Sequence, residues 1–279
     1  MNDPHDAASR PSTKQVATPR NVGTGVASLC LFLCLAFAAP LEPARGADVD
    51  GGPATSALPD RVSLSYSLAR ATIEIARVDE TWERKGTAYS LVSEARAVGV
   101  AALLARGQGW RRESVGMITT DGLRPLQFTD QRGSNPAQRA RFDWDAKLIR
   151  FERLTTGGSG NTAPAEPGDA QALPAGTNDR LSFLYSIAQR ARVPAGTWTV
   201  AITDGRRVTQ YRFQVTGRET LDTPAGRFDT LRISRVREKG DTGTDVWLAL
   251  DRSLIPVRVM VTEPDGTIFD QLLVQIGPS

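Results

Sequence analysis

The sequence predicts an all-β, mainly antiparallel fold: a curved sheet or partly open β-barrel with one or two short helices. Apolar and polar residues alternate through most of the chain after residue 60, which is typical of strands with one buried face. Turn pairs such as Asp-Gly separate the alternating segments, and only two segments fit a helix. We expect about ten to twelve strands.

The first half of the chain contains a series of alternating segments. Leu64, Tyr66 and Leu68 share one face of a first strand, which Ile73 and Ile75 continue towards residue 82. The next strands carry Tyr89 and Leu91, then Val115 and Met117, then Leu126 and Phe128, and a hairpin joins Phe142 and Trp144 to Ile149 and Phe151.

The second half repeats this pattern. Strands are predicted over 198–202, 211–215, 231–233 and 246–250, and the alternation is cleanest over 255–261. A turn at Asp265-Gly266 leads into a last strand, where Asp270 is the one polar interruption of an apolar face. Asn178 or Asp179 could cap a helix near 179–191, whereas 98–106 fits either a short helix or a buried strand.

The N-terminal residues indicate export. Residues 26–39 form an apolar run of fourteen, shorter than the roughly 20 residues that a membrane-spanning helix needs. We therefore expect a cleavable signal peptide at 1–38, cut after Ala38 or near Ala47, with an uncleaved anchor as the alternative. A flexible lead-in at 39–60 would follow, then one β-rich domain at 61–279 with a long mobile loop at 155–178. The predicted location is the periplasm or the extracellular space, with no stable membrane span after cleavage.

Residue usage restricts the chemistry. The only histidine, His5, and both cysteines, Cys30 and Cys34, lie in the predicted signal peptide. Without them the exported chain cannot form a Ser-His-Asp triad, a cysteine nucleophile or an ordinary zinc site, so we expect no catalytic residues, no metal and no cofactor. The net charge of +3 is nearly neutral, which argues against nucleic acid as a partner.

Carboxylates are the remaining candidates for catalysis. Asp143 and Asp145 flank Trp144 at a hairpin turn, and Asp270 lies on an apolar face. Turn chemistry or pairing with an arginine explains these residues, but an acid pair would allow a hydrolase that acts on an envelope glycan. Glu80 and Glu83 are expected to be solvated charges.

Aromatic residues on successive strands are the candidate ligand contacts. If the sheet curls, they would meet in one interior, either as plain core packing or around an apolar, lipid-like ligand. The candidates that would line such a site are Tyr66, Trp82, Trp110, Phe128, Tyr211, Phe213 and Trp247.

Several motifs resemble a family of secreted proteobacterial proteins whose domain has no assigned function. They are residues 223–231, 247–251 and 254–258 with the Asp265-Gly266 turn, and upstream residues 122–125 and 181–185. The resemblance spans roughly residues 62–276 and implies an exported β-rich protein, with no activity or catalytic residue to transfer. The Leu254-Ile255-Pro256 turn is also similar to turns in half-barrel lipoprotein carriers of the periplasm.

Together these features favour an exported, non-enzymatic protein of the cell envelope. Its expected partner is an apolar or lipid-like ligand, or another envelope protein. The alternative is the carboxylate-dependent hydrolase.

Overall fold

The computed structural model describes residues 58–105, 109–156, 162–190 and 192–277. Within these ranges the chain forms fifteen strands, two short α-helices and one 3-10 helix. The first eight strands are β1 (Arg61–Arg70), β2 (Ile73–Lys85), β3 (Ala88–Ala97), β4 (Trp110–Thr119), β5 (Gly122–Arg132), β6 (Ala137–Asp143), β7 (Leu148–Thr156) and β8 (Thr162–Ala172). The others are β9 (Asn178–Asp179), β10 (Thr197–Thr203), β11 (Val208–Thr223), β12 (Gly226–Val236), β13 (Gly243–Ala249), β14 (Pro256–Thr262) and β15 (Ile268–Ile276). The helices are α1 (Gly99–Ala105), α2 (Ser182–Ser186) and the 3-10 helix Ile187–Gln189.

All fifteen strands belong to one sheet, in the order β8-β7-β6-β5-β4-β3-β2-β1-β15-β14-β13-β12-β11-β10-β9. Neighbours pair antiparallel except β9 and β10, which pair parallel. Strand β1 pairs with both β2 and β15, so the first and last described strands lie side by side in the middle of the sheet. The described strands are not closed into a barrel. The predicted all-β, mainly antiparallel class with short helices is confirmed.

The first predicted strand is in fact two strands joined by a tight turn. Ala71 takes a φ of 54°, and the chain reverses between β1 and β2 without any Gly, Pro, Asn or Asp to mark the turn. Ile73 is 67% exposed, whereas Val78 and Trp82 of β2 are buried. The prediction that Ile73 and Ile75 continue the first strand was therefore wrong, and this unmarked turn adds one strand to the expected number.

The predicted loop at 155–178 contains strand β8, so the loop was a wrong prediction for residues 162–172. Pro164 and Pro167 suggested a loop because proline has no backbone N–H to donate. Strand β8 lies at one end of the sheet order, where only one side is hydrogen-bonded, and its pairing with β7 shifts register twice. Both features let a proline-containing segment pair. The predicted signal peptide at 1–38 and residues 39–57 of the predicted lead-in lie outside the described ranges.

The helical segment after β9 is short. The backbone N–H groups of Leu181 and Ser182 donate to Asp179 Oδ1 at 2.9 and 2.7 Å, so Asp179 stabilises the turn that leads into α2. The N-cap itself is Leu181, which makes no side-chain cap hydrogen bond, so the prediction that Asn178 or Asp179 is the cap was wrong. The segment tightens into the 3-10 helix and ends at Gln189, which is shorter than the predicted 179–191. The segment near 98–106, left open between helix and strand, forms α1.

One hydrophobic core joins both halves of the sheet. Its fully buried side chains include Leu64, Leu91, Ile149, Ile233, Leu248 and Leu273, which come from six different strands. Phe183 and Tyr185 of α2 are buried in the same core. The short helix therefore packs against the apolar face of the sheet.

Candidate functional site

The seven aromatic residues predicted to line a ligand site all belong to this core or pack against it. Trp110 and Tyr211 are only partly buried. The five buried members are Tyr66, Trp82, Phe128, Phe213 and Trp247. The sheet therefore brings the predicted residues into one apolar cluster, where they pack with neighbouring side chains. Contact of these residues with a ligand stays a prediction.

Trp82 is at the centre of the aromatic packing. Its ring lies nearly parallel to those of Tyr89 and Tyr185, with centroids 5.7 and 6.2 Å away. Its indole N–H donates to the carbonyl oxygen of Pro59 at 3.0 Å. These contacts account for a ring that is only 1% exposed. Packing and one hydrogen bond therefore satisfy this side chain.

Glu80 is a carboxylate buried beside this stack. It is 4% exposed, and its oxygens accept hydrogen bonds from the Tyr185 hydroxyl at 2.6 Å and the Ser93 hydroxyl at 3.1 Å. Desolvation raises the pKa of Glu80, while hydrogen bonds from Tyr185, Ser93 and Gln271 act in the opposite direction. The prediction that Glu80 is a solvated charge was wrong, because it follows Val78 and precedes Trp82 on the buried face of β2.

Asp179 is a second buried carboxylate, and it is fully shielded from solvent. Besides the N–H groups of Leu181 and Ser182, it accepts a hydrogen bond from the Ser114 hydroxyl at 2.6 Å, and that hydroxyl lies 3.0 Å from the Tyr89 hydroxyl. Desolvation is the main cause that raises the pKa of Asp179. Glu80 and Asp179 thus tie the β9–α2 segment to β2 and β4, which is a structural role.

Trp247 contacts ionic side chains as well as the apolar core. Arg232 and Arg258, its register neighbours on β12 and β14, place their guanidinium groups 4.9 and 4.8 Å from the ring centroid. Its indole N–H donates to Glu219 Oε1 at 2.6 Å. Arg258 also holds Asp270 through two hydrogen bonds of 2.8 Å. Asp270 therefore pairs with an arginine, one of the two explanations that its position suggested.

A solvent-open groove of 880 Å³ lies on the described part of the sheet. Strands β4 to β7 and the β6–β7 turn supply most of its lining. Its apolar lining residues are Met117, Ile118, Leu126, Phe142 and Trp144, and its charged ones are Arg124, Arg141, Asp143, Asp145 and Arg150. We call this concavity the Trp144 groove.

The Trp144 ring forms part of the apolar wall of the groove. Its indole N–H donates to the Pro125 carbonyl oxygen at 2.7 Å, and its ring stacks on Phe142 with centroids 6.0 Å apart. The Arg124 guanidinium lies 4.9 Å from the ring centroid. Leu126 is 45% exposed in the same groove. The groove thus combines a fixed aromatic wall with exposed apolar and cationic groups.

Asp143, one of the two carboxylates of the groove, has structural partners. Asp143 Oδ1 accepts the backbone N–H of Ala146 at 2.9 Å, and Asp143 Oδ2 lies 3.8 Å from Arg150. Asp143 therefore stabilises the hairpin turn, which was the simpler interpretation of its position. Among the residues that the structure describes, no group of three or more His, Cys, Asp or Glu side chains could hold a metal ion. The same residues include no helix with the length and apolarity needed to cross a membrane.

Sequence reasoning missed the burial of Glu80 and Asp179, and it missed the groove. The alternation along β2 could have indicated that Glu80 is buried, since Glu80 lies two residues from both Val78 and Trp82 and so shares their face of the strand. The groove had no such signal, because its walls come from several strands whose register the sequence does not show.

The comparisons with known proteins agree with the motif-based resemblance. The model of a family described as "Protein of unknown function (DUF3108)" matches residues 62–273, nearly the range that the turn and strand motifs cover. No curated protein matches the chain. Two solved structures, an exported-protein candidate with a YmcC-like fold from Bacteroides fragilis and a lipoprotein candidate from Parabacteroides distasonis, are 11% and 9% identical. Each covers 81% of this chain, over 99% and 100% of its own length, at a TM-score of 0.33. At these TM-scores neither similarity bears on function.

Proposed function

The chain belongs to the DUF3108 family, which has no assigned activity to inherit, and we propose that it is a non-enzymatic cell-envelope protein that binds an anionic, lipid-like amphiphile in the Trp144 groove. The apolar run at 26–39 supports export, because it has the length and composition of a signal peptide. The observation that carries the binding proposal is the exposed apolar wall of the groove with three arginines around it.

The apolar face of the sheet is filled by packed side chains, which favours the groove as the ligand site. Five of the seven aromatic residues that a curled sheet could have presented to a ligand are buried in contact with core side chains. A lipid chain would have to displace packed side chains there, at a cost of roughly 1–3 kcal/mol or more for overpacking. The groove offers open volume and apolar surface without that cost.

Charge and shape favour an amphiphile with an anionic head group. The lining contains three guanidinium groups and two carboxylates; Arg150 lies 3.8 Å from Asp143, and Arg141 lies 3.1 Å from Glu152. Arg124 instead lies over the Trp144 ring, where its N–H groups can donate to phosphate oxygens. Leu126 and Met117 provide apolar surface for an acyl chain, worth about 25 cal/mol for each Å² buried.

The proposal that the protein is not an enzyme rests on the partners and the burial of the candidate carboxylates. Asp270 is held by Arg258, and Asp143 accepts a turn N–H and lies near Arg150. A general acid needs a raised pKa and access to substrate. The carboxylates with raised pKa values, Glu80 and Asp179, are buried and serve as hydrogen-bond acceptors. Glu80 and Asp179 therefore have raised pKa values without access to a substrate.

The test is a binding titration of the purified protein with lauroyl lysophosphatidylglycerol below its micelle concentration. Leu126→Asp places a negative charge on the apolar wall, and Ile73→Asp is a matched control because Ile73 is an exposed apolar strand residue outside the groove. We expect Leu126→Asp to weaken binding about tenfold or more and Ile73→Asp to leave it unchanged.

Two outcomes would contradict the proposal. Equal binding by both aspartate variants would place the lipid elsewhere. Equal affinity for lauroyl lysophosphatidylcholine, whose head group has no net charge, would exclude a role for the arginines of the groove.

A further inference from the structure

A second concavity, of 660 Å³, lies where β5, β6 and β7 meet the residue after β9 and the turn after β10. It shares no lining residue with the Trp144 groove. Its charged lining residues are Asp130, Arg132, Arg153, Arg180, Asp204 and Arg206. We call it the arginine cleft.

Both carboxylates of the arginine cleft are already engaged. Asp130 is 5% exposed and is shared between two guanidinium groups, those of Arg112 at 3.4 Å and Arg132 at 3.2 Å. Asp204 lies 3.9 Å from Arg180, and its Oδ1 accepts the backbone N–H of Arg206 at 2.9 Å. Four guanidinium groups and two carboxylates line the cleft, so its described side chains have a net positive charge.

Arg112 shows how strongly these cations affect one another. Its side chain is 22% exposed, and its guanidinium lies 3.4 Å from Asp130 Oδ1. The pKa of Arg112 is lowered to about 10: desolvation and the nearby Arg180 and Arg132 lower it, and Asp130 raises it. An additional anion between these guanidinium groups would reduce the repulsion among them.

We propose that the arginine cleft binds a phosphate group carried on a larger molecule. Guanidinium groups present paired N–H donors that match the oxygens of a phosphate, and several arginines around one cleft suit a doubly charged group. The cleft volume lies within the roughly 300–1,000 Å³ typical of small-molecule sites, which leaves room for the rest of a phosphomonoester. This site is independent of the proposed amphiphile binding, because the two concavities have different linings.

The experiment is isothermal titration of the purified protein with glycerol 3-phosphate, with inorganic phosphate, and with sodium chloride at matched ionic strength. Arg206→Gln and Arg132→Gln each remove one guanidinium, and Arg206 lies in an exposed turn where the substitution should not affect folding. Arg227→Gln is the matched control, because its side chain is 73% exposed on β12 and outside the cleft.

We expect glycerol 3-phosphate to bind more tightly than inorganic phosphate, and both cleft variants to weaken its binding about tenfold or more. Arg227→Gln and the groove variant Leu126→Asp should bind as the wild type does. Tighter binding of inorganic phosphate would overturn the inference that the phosphate is part of a larger molecule. No binding of either compound, binding matched by chloride, or equal affinity of Arg206→Gln, Arg132→Gln and the wild type would overturn the site itself.

Discussion

The two buried carboxylates, Glu80 and Asp179, make the stability of the fold depend on pH in a direction that can be worked out. Desolvation raises the pKa of each above its ordinary value, which is 4.5 for Glu80 and 3.8 for Asp179. Between the ordinary and the raised pKa, the folded chain holds a proton that the unfolded chain has lost. The free energy of unfolding therefore falls as pH rises through that window. The stabilisation that each raised pKa provides is complete only at pH values below the ordinary pKa of the group.

Glu80→Gln isolates the contribution of one group. The glutamine side chain cannot ionise, but it keeps an oxygen that can accept the hydrogen bond from the Tyr185 hydroxyl. One titrating group contributes about 1.4 kcal/mol for each pH unit of the window. Relative to the wild type, the variant should gain about that much stability for each unit as pH rises, until the raised pKa of Glu80 is passed.

Urea unfolding, followed by far-ultraviolet circular dichroism at pH steps from about 4.5 to about 8, measures this difference. Asp251→Asn is the matched control, because Asp251 is an exposed turn carboxylate, and its curve should run parallel to that of the wild type. If the Glu80→Gln curve is also parallel to the wild-type curve, the burial argument for Glu80 is wrong.

Two further substitutions test the packing of the helical segment, both by urea unfolding at neutral pH. Tyr185→Phe removes the hydroxyl that donates to Glu80, and it should destabilise the fold by about 1.5–3 kcal/mol; a loss below about 0.5 kcal/mol would mean that the hydrogen bond contributes little. Gly122 and Gly86 both have positive φ values, but a Cβ at Gly122 would overlap Ser186 whereas a Cβ at Gly86 meets open space. Gly122→Ala should therefore cost about 1–3 kcal/mol more than Gly86→Ala, and equal losses would refute the close approach.

Local turn chemistry made much of the sheet predictable. The Asp265-Gly266 turn joins β14 to β15, and Gly266 takes the φ of 85° that glycine tolerates. The hairpin at 142–151 also forms as expected. The turn at Ala71 escaped prediction because alanine rarely adopts a φ of 54° and gives no sequence signal.

The functional surfaces were harder to predict, because they depend on contacts between distant residues. Tyr185 and Glu80 are 105 positions apart, and Ser114 and Asp179 are 65 apart, so periodicity within one strand could not pair them. The aromatic pattern correctly indicated a shared apolar cluster. It did not indicate Trp144, whose position beside the open groove depends on how β4 to β7 pair.

The placement of the ligand can be tested most directly by the indole N–H signals of the five tryptophans in a two-dimensional nitrogen–proton spectrum. Single Trp→Phe variants assign the signals, and lauroyl lysophosphatidylglycerol is then titrated below its micelle concentration. We predict that the Trp144 signal shifts while those of the buried Trp82 and Trp247 stay in place. A shift of Trp82 with Trp144 unchanged, or no shift of any signal, would contradict an amphiphile bound in the groove.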